Sequence, residues 1–470
     1  MSEQASAELS RILGPKGWFT DQSSFAARLI DSRNAFHGIC LGLALPGDVE
    51  GVQKVMQIAA RFGLFITPQG GNTGRVGGAT PQGDDTILLG LDRLNRVRMI
   101  NQQAMVIIAE AGCILADIQR IADENGLSFP LSLGSEGSCQ IGGTIATNAG
   151  GWNALSTGCM REQVLGLEVV LPDGAIWPGL NLLPKNNTGF DLKQLFIGSE
   201  GTLGVVTAAA LKLRPSNGDR CDVIASVPTI AAALSCLERL KRHFCNNLLA
   251  FEFMHRSCIK LAAQIWPEWR LPPVGDDEWT LLTTITSQAG GHNLSGEVES
   301  HLGESLDQGE VSNAILAANV RQAKDFWLVR ERIVEAQTHL PVCIKHDLCL
   351  PIDRISEFLQ LAEQALHKLD PELVILAFGH LGDGNIHYNL QPGANGKKRC
   401  HQTYRQITHD LCARLGGSFS AEHGIGRAQL DAMERYKTPV ELAMMRTIKQ
   451  AIDPQFRMNP GVILPQPDWR

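Results

Sequence analysis

Apolar positions along the chain fall into short runs of two kinds, and the change between them divides it in two. Over 39–67 an apolar opening gives way to helical periodicity at 49–62 and then to Leu64-Phe65-Ile66-Thr67, which reads as strand, helix, strand. Strand-length runs separated by glycine turns continue to about Pro215. Beyond Asn217-Gly218 the apolar pattern predicts strands at 221–227, 248–253, 279–285, 342–350 and 373–378, with helices at 229–243 and 352–369 and helical stretches around 314–337. This second half predicts an α+β domain of ferredoxin-like type, its helices on one face of a sheet. No internal repeat stands out.

A chain of 470 residues exceeds one ordinary core and suits two or three domains. Its 44% hydrophobic and 19% charged residues are those of an ordered globular protein. The formal net charge of −7, with no Lys/Arg run, argues against a nucleic-acid partner. A few converging cations in a pocket can still hold an acidic substrate, because the local field governs such a site. Residues 1–38 have no basic stretch followed by an apolar one, and no run reaches the roughly 18 apolar residues of a membrane span, so a soluble cytoplasmic protein is expected. The 12 cysteines form no CxxC pair, which disfavours a zinc ribbon or an iron–sulfur cluster and fits buried thiols in a reducing compartment.

Three glycine-rich segments carry the candidate chemistry of the first half. Directly after a predicted strand stands Pro68-Gln69-Gly70-Gly71-Asn72-Thr73-Gly74-Arg75-Val76-Gly77-Gly78. Consecutive glycines let successive N–H groups converge on an anion such as a pyrophosphate, although a tight turn would use the same residues. It is neither a GxGxxG fingerprint nor a P-loop. A second segment, 134–151, interleaves Ser138, Thr144 and Asn148 with Gly134, Gly142, Gly143 and Gly150, offering donors and acceptors to a flavin ring edge and a diphosphate. A third runs from Asp191 through Gly198-Ser199-Glu200-Gly201 to Val206.

In this order the three segments resemble the FAD-binding domain of the vanillyl-alcohol oxidase superfamily, the PCMH-type flavin domain, over about residues 38–217. The resemblance implies extended FAD, with the cofactor-binding positions falling at Pro68, Gly70, Gly71, Asn72, Thr73, Gly74, Gly134, Ser135, Ser138, Gly142, Thr144, Asn148, Gly150, Gly201, Val206 and Asn459. Some members tether FAD through a loop histidine. Neither of the first two loops contains one here, so the FAD is expected to be non-covalent.

In the second half, two apolar runs flank Asp383-Gly384 in the segment Gly379-His380-Leu381-Gly382-Asp383-Gly384-Asn385-Ile386-His387. A two-residue Asp-Gly turn would set His380 opposite His387, with Asn389 on the same face. Directly opposed side chains stand ~4.5–5.5 Å apart at Cβ, from which two imidazoles can bind one cation; a stacked or hydrogen-bonded pair is the plainer alternative. Further on, Ala421-Glu422-His423-Gly424-Ile425-Gly426 can supply a third metal ligand from Glu422 and a general base from His423, unless it is simply an exposed loop.

Together these motifs resemble the D-2-hydroxyglutarate and D-lactate dehydrogenase family from about Ala44 to Gly461. The resemblance implies that His380, His387 and Glu422 bind zinc or a similar divalent ion, that His423 abstracts the substrate hydroxyl proton as hydride passes from C2 to the flavin, and that 421–470 return to the flavin domain. It thus divides the chain into an N-terminal segment 1–37, a flavin domain 38–217, a cap 218–420 and the C-terminal segment. Phe326-Trp327-Leu328-Val329-Arg330-Glu331-Arg332-Ile333 matches the signature in which the first arginine grips the substrate carboxylate, so Arg330 is the candidate, with Lys345 as a second cation and Asn389 on the substrate. On a helix Arg332 would face elsewhere.

There are three departures. Val334 stands where relatives that oxidise dicarboxylates often carry a hydroxyl, which bears on D-2-hydroxyglutarate as substrate. Thr144 replaces a usual Asn, and Trp152 to Gly158 differ from the usual run. Rival readings are a sugar or aldonolactone oxidase of the same superfamily, which would not need the metal set, and a non-catalytic flavin subunit, which should lack it. An electron-transfer flavoprotein, a quinone and a cytochrome all remain open as electron acceptor, as does a homodimer.

Overall fold

The computed structural model describes residues 2–216, 218–287, 293–394 and 401–466, and the chain divides into two compact units. The first comprises 1–151, 158–216 and 422–470; the second comprises 152–157 and 217–421. Asn217, marked in the sequence as the turning point, lies outside the described residues.

In the first unit, β1 (Trp18–Phe19), β2 (Gly42–Ala44), β3 (Phe65–Gln69) and β4 (Thr86–Gly90) form a sheet in the order β1-β2-β4-β3, whose last three strands are parallel. The helix Val49–Phe62 makes the crossover between β2 and β3. Asp48 caps its start by accepting from Gly51 N at 2.7 Å, and Gly63 ends it at φ +69°, a left-handed geometry that glycine adopts without a Cβ clash. Its buried stripe of Val52, Val55, Met56 and Ala59 packs over the sheet.

A second, antiparallel sheet holds β5 (Val97–Asn101) and β6 (Val106–Glu110), followed, after the short β7 (Leu127–Ser128), by β8 (Val164–Val170), β9 (Ile176–Gly179) and β10 (Val205–Lys212). Its order is β5-β6-β10-β8-β9, and β7 pairs separately with β11 (Arg214–Pro215). The last stretch of chain completes this unit. Met458 bridges Ile66 in parallel, Asn459 N donates to Ile66 O at 2.7 Å, and the buried ammonium of Lys449 binds Thr202 O, Met458 O and Asp453.

The second unit is built on one seven-stranded antiparallel sheet: β12 (Arg220–Val227), β13 (Leu248–His255), β14 (Trp279–Thr286), β15 (Asn313–Leu316), β16 (Leu348–Cys349), β17 (Val374–His380) and β18 (Asn385–Gln391), ordered β15-β12-β14-β13-β17-β18-β16. The helices Ile230–Phe244, Leu294–Asp307, Ile355–Leu369 and His401–Arg414 cover the face that carries Val223, Phe251, Ala377 and Tyr388. Contrary to the expectation of helices on one face, Arg256–Ile265 and Val320–Ala336 cover the other, which carries Ile224, Met254, Leu282, Leu376 and Phe378. The reason lies in the strands. β12, β13 and β14 are buried almost throughout, so both of their faces need apolar cover. The predicted strand 342–350 is reduced to β16 and isolated bridges, and 313–316, within the predicted helical stretch, is the edge strand β15.

Candidate active site

In the first unit the glycine loops meet backbone to backbone. A Cβ on residue 71 would fall 2.0 Å from Ser138 O, and one on Gly142 would fall 2.8 Å from Ala111 Cβ. Built Cβ atoms at Gly74, Gly134, Gly137 and Gly143 would meet nothing within 4 Å, so both loops present bare backbone to open space. Pro68, next to last in β3, packs against Gly201, where a Cβ would lie 3.0 Å from Pro68 Cγ and φ is +72°. Val206 is buried in the core beneath.

The polar residues of these loops do more shaping than the sequence suggested. Residues 141–146 form a short helix rather than a loop, and Thr144 Oγ1 donates to Ile141 O at 2.9 Å inside it. Asn72, at φ +54°, donates to Ile30 O, and Asn148, at φ +48°, accepts from Arg161 N. Ser138 donates to Ser135 O, while Thr73 is half-buried and Gly150 buried. Among the described residues Gln140 Oε1 and Asn459 Oδ1 are buried acceptors without a hydrogen-bond partner; Gln140 lies 3.5 Å from a Cβ built on Gly70, and the Asn459 amide donates to Gly78 O and Glu200 O. Bare glycine backbone, open space and unmatched buried acceptors fit an extended, polar-edged group such as FAD.

Glu200 went unremarked in the sequence. Buried and at φ +50°, it accepts at its carboxylate from Ile425 N and Gly426 N, each at 2.8 Å, and so holds the turn that follows His423. Burial raises it to about 7, against the opposing pull of those two N–H groups. Within the same turn Glu422 and His423 are half-buried, His423 Nε2 lying 3.6 Å from Glu422 Oε1.

In the second unit the hairpin register differs from the expected one. Phe378 pairs with His387, and His380 with Asn385, leaving a four-residue turn, Leu381 to Gly384. Tertiary bonds set that turn: Gly382 N donates to Phe251 O, Lys241 Nζ donates to Gly382 O, and a Cβ on Gly384 would strike Leu350 O at 2.2 Å. The shift is by two residues, so His380 and His387 keep a common face as a diagonal pair, with ring centroids 5.8 Å apart and nearly perpendicular.

Across the neighbouring strand, Glu252 sits opposite His380. It is wholly buried. Glu252 Oε1 accepts from His380 Nδ1 at 2.5 Å and Glu252 Oε2 from Arg330 Nε at 2.9 Å. Burial would raise this carboxyl, but the charge and hydrogen bonds of His380 and Arg330 outweigh it and hold Glu252 below the ordinary range. An acidic residue inside the apolar run Leu249-Ala250-Phe251-Glu252-Phe253-Met254 was the signal that could have exposed it.

The Arg330 guanidinium also lies 4.5 Å from the centroid of the Phe378 ring. Among the described residues its Nη atoms have no hydrogen-bond partner, so the outer edge of the fork is left to take a carboxylate. Arg332 does face elsewhere, over Trp266 and Trp269. Val334 packs among the apolar residues under the same helix, and Lys345 is half-buried beside His346. Asn389 shares the histidine face, but its amide donates to Gln337 Oε1 at 2.7 Å and accepts from His346 N at 3.0 Å, which makes it a brace for the 346 backbone. Trp152 belongs to this unit and stacks on Trp327 at 4.7 Å, which gives the divergent 152–158 run a structural role.

Asp347 is a further acidic group that the sequence reading passed over. Its Oδ1 lies 3.6 Å from His387 Nδ1, and its backbone and side chain accept from Ala421 N, the residue before Glu422. His387 and Asp347 offer ligand atoms within 4.8 Å of one another, as do Glu422 and His423 in the first unit. His380 is not among these residues; its Nδ1 faces the Glu252 carboxylate, the kind of acidic partner that metal-ligating histidines commonly have. Imidazoles and carboxylates of this kind suit a divalent ion such as zinc.

Residues 41–178 match the family described as FAD binding domain, and residues 218–463 the family of FAD linked oxidases, C-terminal domain. The two matches define an FAD-dependent oxidoreductase. The chain is 36% identical to D-2-hydroxyglutarate dehydrogenase, mitochondrial, of Bos taurus over 99% of its own length and 84% of that protein's. It is 33% identical to D-2-hydroxyglutarate dehydrogenase of Xanthomonas citri pv. viticola over 90% and 88% of the two lengths. The chain therefore belongs to the D-2-hydroxyglutarate dehydrogenase family of FAD-linked, PCMH-type oxidoreductases. Among solved structures, substrate-bound p-cresol methylhydroxylase shares its fold with a TM-score of 0.73 over 98% of this chain and 96% of that one, at 14% identity. Among the described residues no helix is long and apolar enough to cross a membrane.

Proposed function

We propose that this protein oxidises a D-2-hydroxy acid of the D-2-hydroxyglutarate or D-lactate type to the 2-oxo acid, using non-covalent FAD and assisted by a divalent ion, zinc or one like it. The observation that supports this reading best is the outer edge of Arg330, without a hydrogen-bond partner among the described residues and tied through one buried carboxylate to the His380–His387 pair. When bound, FAD supplies the acceptor for hydride from C2, and the divalent ion lowers the pKa of the substrate hydroxyl.

The remaining work belongs to the chain. Arg330 Nη atoms grip the substrate carboxylate in the plane of the guanidinium, and Lys345 adds a second positive charge. Val334, one helical turn beyond Arg330, faces the far end of the substrate. His423 takes the hydroxyl proton on a ring nitrogen as the C2–H bond breaks. His380, His387 and Glu422 hold the ion, with Asp347 beside His387 as a further donor. Glu200 keeps the His423 turn in shape. Electrons then leave to an electron-transfer flavoprotein, a quinone or a cytochrome.

The relatives' names give mitochondria in one case and no compartment in the other. We place this chain in a reducing compartment, the cytoplasm or a mitochondrial matrix, and cell fractionation decides between them. The function itself is tested by reduction of an artificial dye with a panel of D- and L-2-hydroxy acids and aldonolactones. Turnover on D-acids alone, lost on chelation, is the expected result. Chelator-resistant turnover on a lactone would establish the rival sugar-oxidase reading.

A further inference from the structure

Among the described residues nothing acidic answers the charge of Arg427. It follows Gly426, whose φ of +50° puts an ideal Cβ position 2.2 Å from Val76 O, and the N–H groups of Arg427 and Ala428 both donate to that carbonyl, at 2.9 and 3.2 Å. The C-terminal turn is thus pinned to the end of the first glycine loop, all within the first unit. From there the guanidinium runs along the loop, its Nη2 donating to Thr80 O, while its Nε is buried without a hydrogen-bond partner. A neutral carbonyl leaves the charge uncancelled. No carboxylate among the described residues forms an ion pair with Arg427, in contrast to Arg98, which has Glu110 at 3.1 Å and Glu168 at 3.0 Å. The Glu200 carboxylate lies instead on the N–H groups of Ile425 and Gly426. Burial, unopposed by any acidic neighbour, pulls the guanidinium down to about 10. A partly buried cation without a counter-charge is costly, and it marks a place where a ligand brings the missing charge.

We propose that Arg427 is a cofactor-binding residue that pairs with the diphosphate of FAD, adding a full positive charge to the backbone N–H cradle of Gly70 to Gly74. Val76, which its turn grips, stands two residues beyond Gly74, so the cation belongs to the same loop as the cradle. The diphosphate is the one part of oxidised FAD that is fully negative near neutral pH, and it is therefore the part that an unanswered guanidinium can satisfy. Backbone N–H groups offer an anion only dipoles; the planar fork of Arg427, with donors left over beyond Thr80, offers charge and two-point geometry together.

The inference rests on the non-covalent FAD of the reading above and on nothing about the substrate. Arg427→Gln removes the charge but keeps an amide donor for Thr80 O, and Arg427→Lys keeps the charge without the fork. Flavin-free, full-length protein titrated with FAD should show a Kd about ten- to a hundredfold higher in Arg427→Gln, with Arg427→Lys between it and wild type. Without FAD the melting temperature of Arg427→Gln should stay close to that of wild type, because relief of an unanswered charge offsets a weakened bond to Thr80. In the FAD-loaded proteins the 31P signals of the diphosphate should shift between wild type and Arg427→Gln. Equal FAD affinity in the two overturns the proposal, and unshifted 31P signals do so as well. An Arg427→Gln protein that misfolds, or melts well below wild type without FAD, overturns it by making Arg427 a clamp on Thr80. Wild type that takes up no FAD would instead fell the cofactor reading, and this inference with it.

Discussion

The carbonyl oxygen of Ser138 occupies the place a side chain on residue 71 would need, 2.0 Å from the ideal Cβ position. Gly74, three residues on, looks into open space. The two glycines should therefore fail differently. Gly71→Ala should push the loops apart and yield unstable protein with little flavin. Gly74→Val should leave the flavin-free protein as stable as wild type yet weaken FAD binding. Thermal melting with and without added FAD, together with flavin absorbance per polypeptide, checks both; equal flavin content in Gly74→Val and wild type would remove this glycine from the cradle.

With no histidine in the first two glycine loops, acid precipitation should release the flavin into the supernatant. Yellow colour retained in the pellet would establish a covalent link and contradict the expectation.

His380→Ala and Glu422→Ala should each lose the divalent ion and most turnover while the flavin spectrum stays close to wild type. Elemental analysis supplies the check. Active wild-type protein without a stoichiometric divalent metal would mean that the motif has been misread.

Val334 tests substrate length. A hydrogen bond to a charged group contributes ~1.5–3 kcal/mol, roughly ten- to a hundredfold in selectivity. Val334→Thr should thus raise kcat/KM for D-2-hydroxyglutarate or D-malate relative to D-lactate. An equal change on all three acids would show that residue 334 does not touch the distal end of the substrate.

Glu200 predicts a pH dependence whose sign is fixed. Burial raises its folded pKa from 4.5 to about 7, so the folded state holds the proton more tightly than the unfolded one. Its contribution to stability is complete below the unfolded value and is lost as pH rises through the folded one, a change of about 3 kcal/mol. Urea unfolding of wild type and Glu200→Gln from pH 4.5 to 8 should show wild type losing ground to the variant as pH rises. Parallel curves would mean that Glu200 titrates alike in both states.

Much of this was legible in the sequence because it rests on local chemistry. The crossover from Asp48 to Gly63 announces itself by cap and period, and the glycine loops by composition. The common face of His380 and His387 survived a misjudged turn because the true register differs by two residues, which preserves strand parity. The turn itself was hidden, since Phe251, Lys241 and Leu350, all distant in sequence, decide its length. Glu252 and Asp347 were hidden for the same reason: a buried carboxylate is defined by its partners, and theirs come from other strands and helices. The second helical layer was missed because buried polar residues such as Asp222, Ser226, Glu252 and Thr284 interrupt the apolar runs of β12 to β14, so that burial on both faces reads like burial on one.

The return of the chain to its first unit after Ala421 bears on how the protein is made. On the ribosome the parallel sheet around Ile66 is synthesised early, yet Arg457 and Asn459, whose carbonyl and N–H hydrogen-bond to Ile66, are made much later. The cap, 217–421, can mature as a block once it has left the exit tunnel, drawing in Trp152 and Leu155 from chain already exposed. The strand that leads into the glycine cradle must wait, its Ile66 N–H and carbonyl lacking their partners until 457–459 arrive. Nascent chains stalled short of residue 458 should therefore carry a folded second unit and no flavin, which ties cofactor capture to the arrival of 457–459.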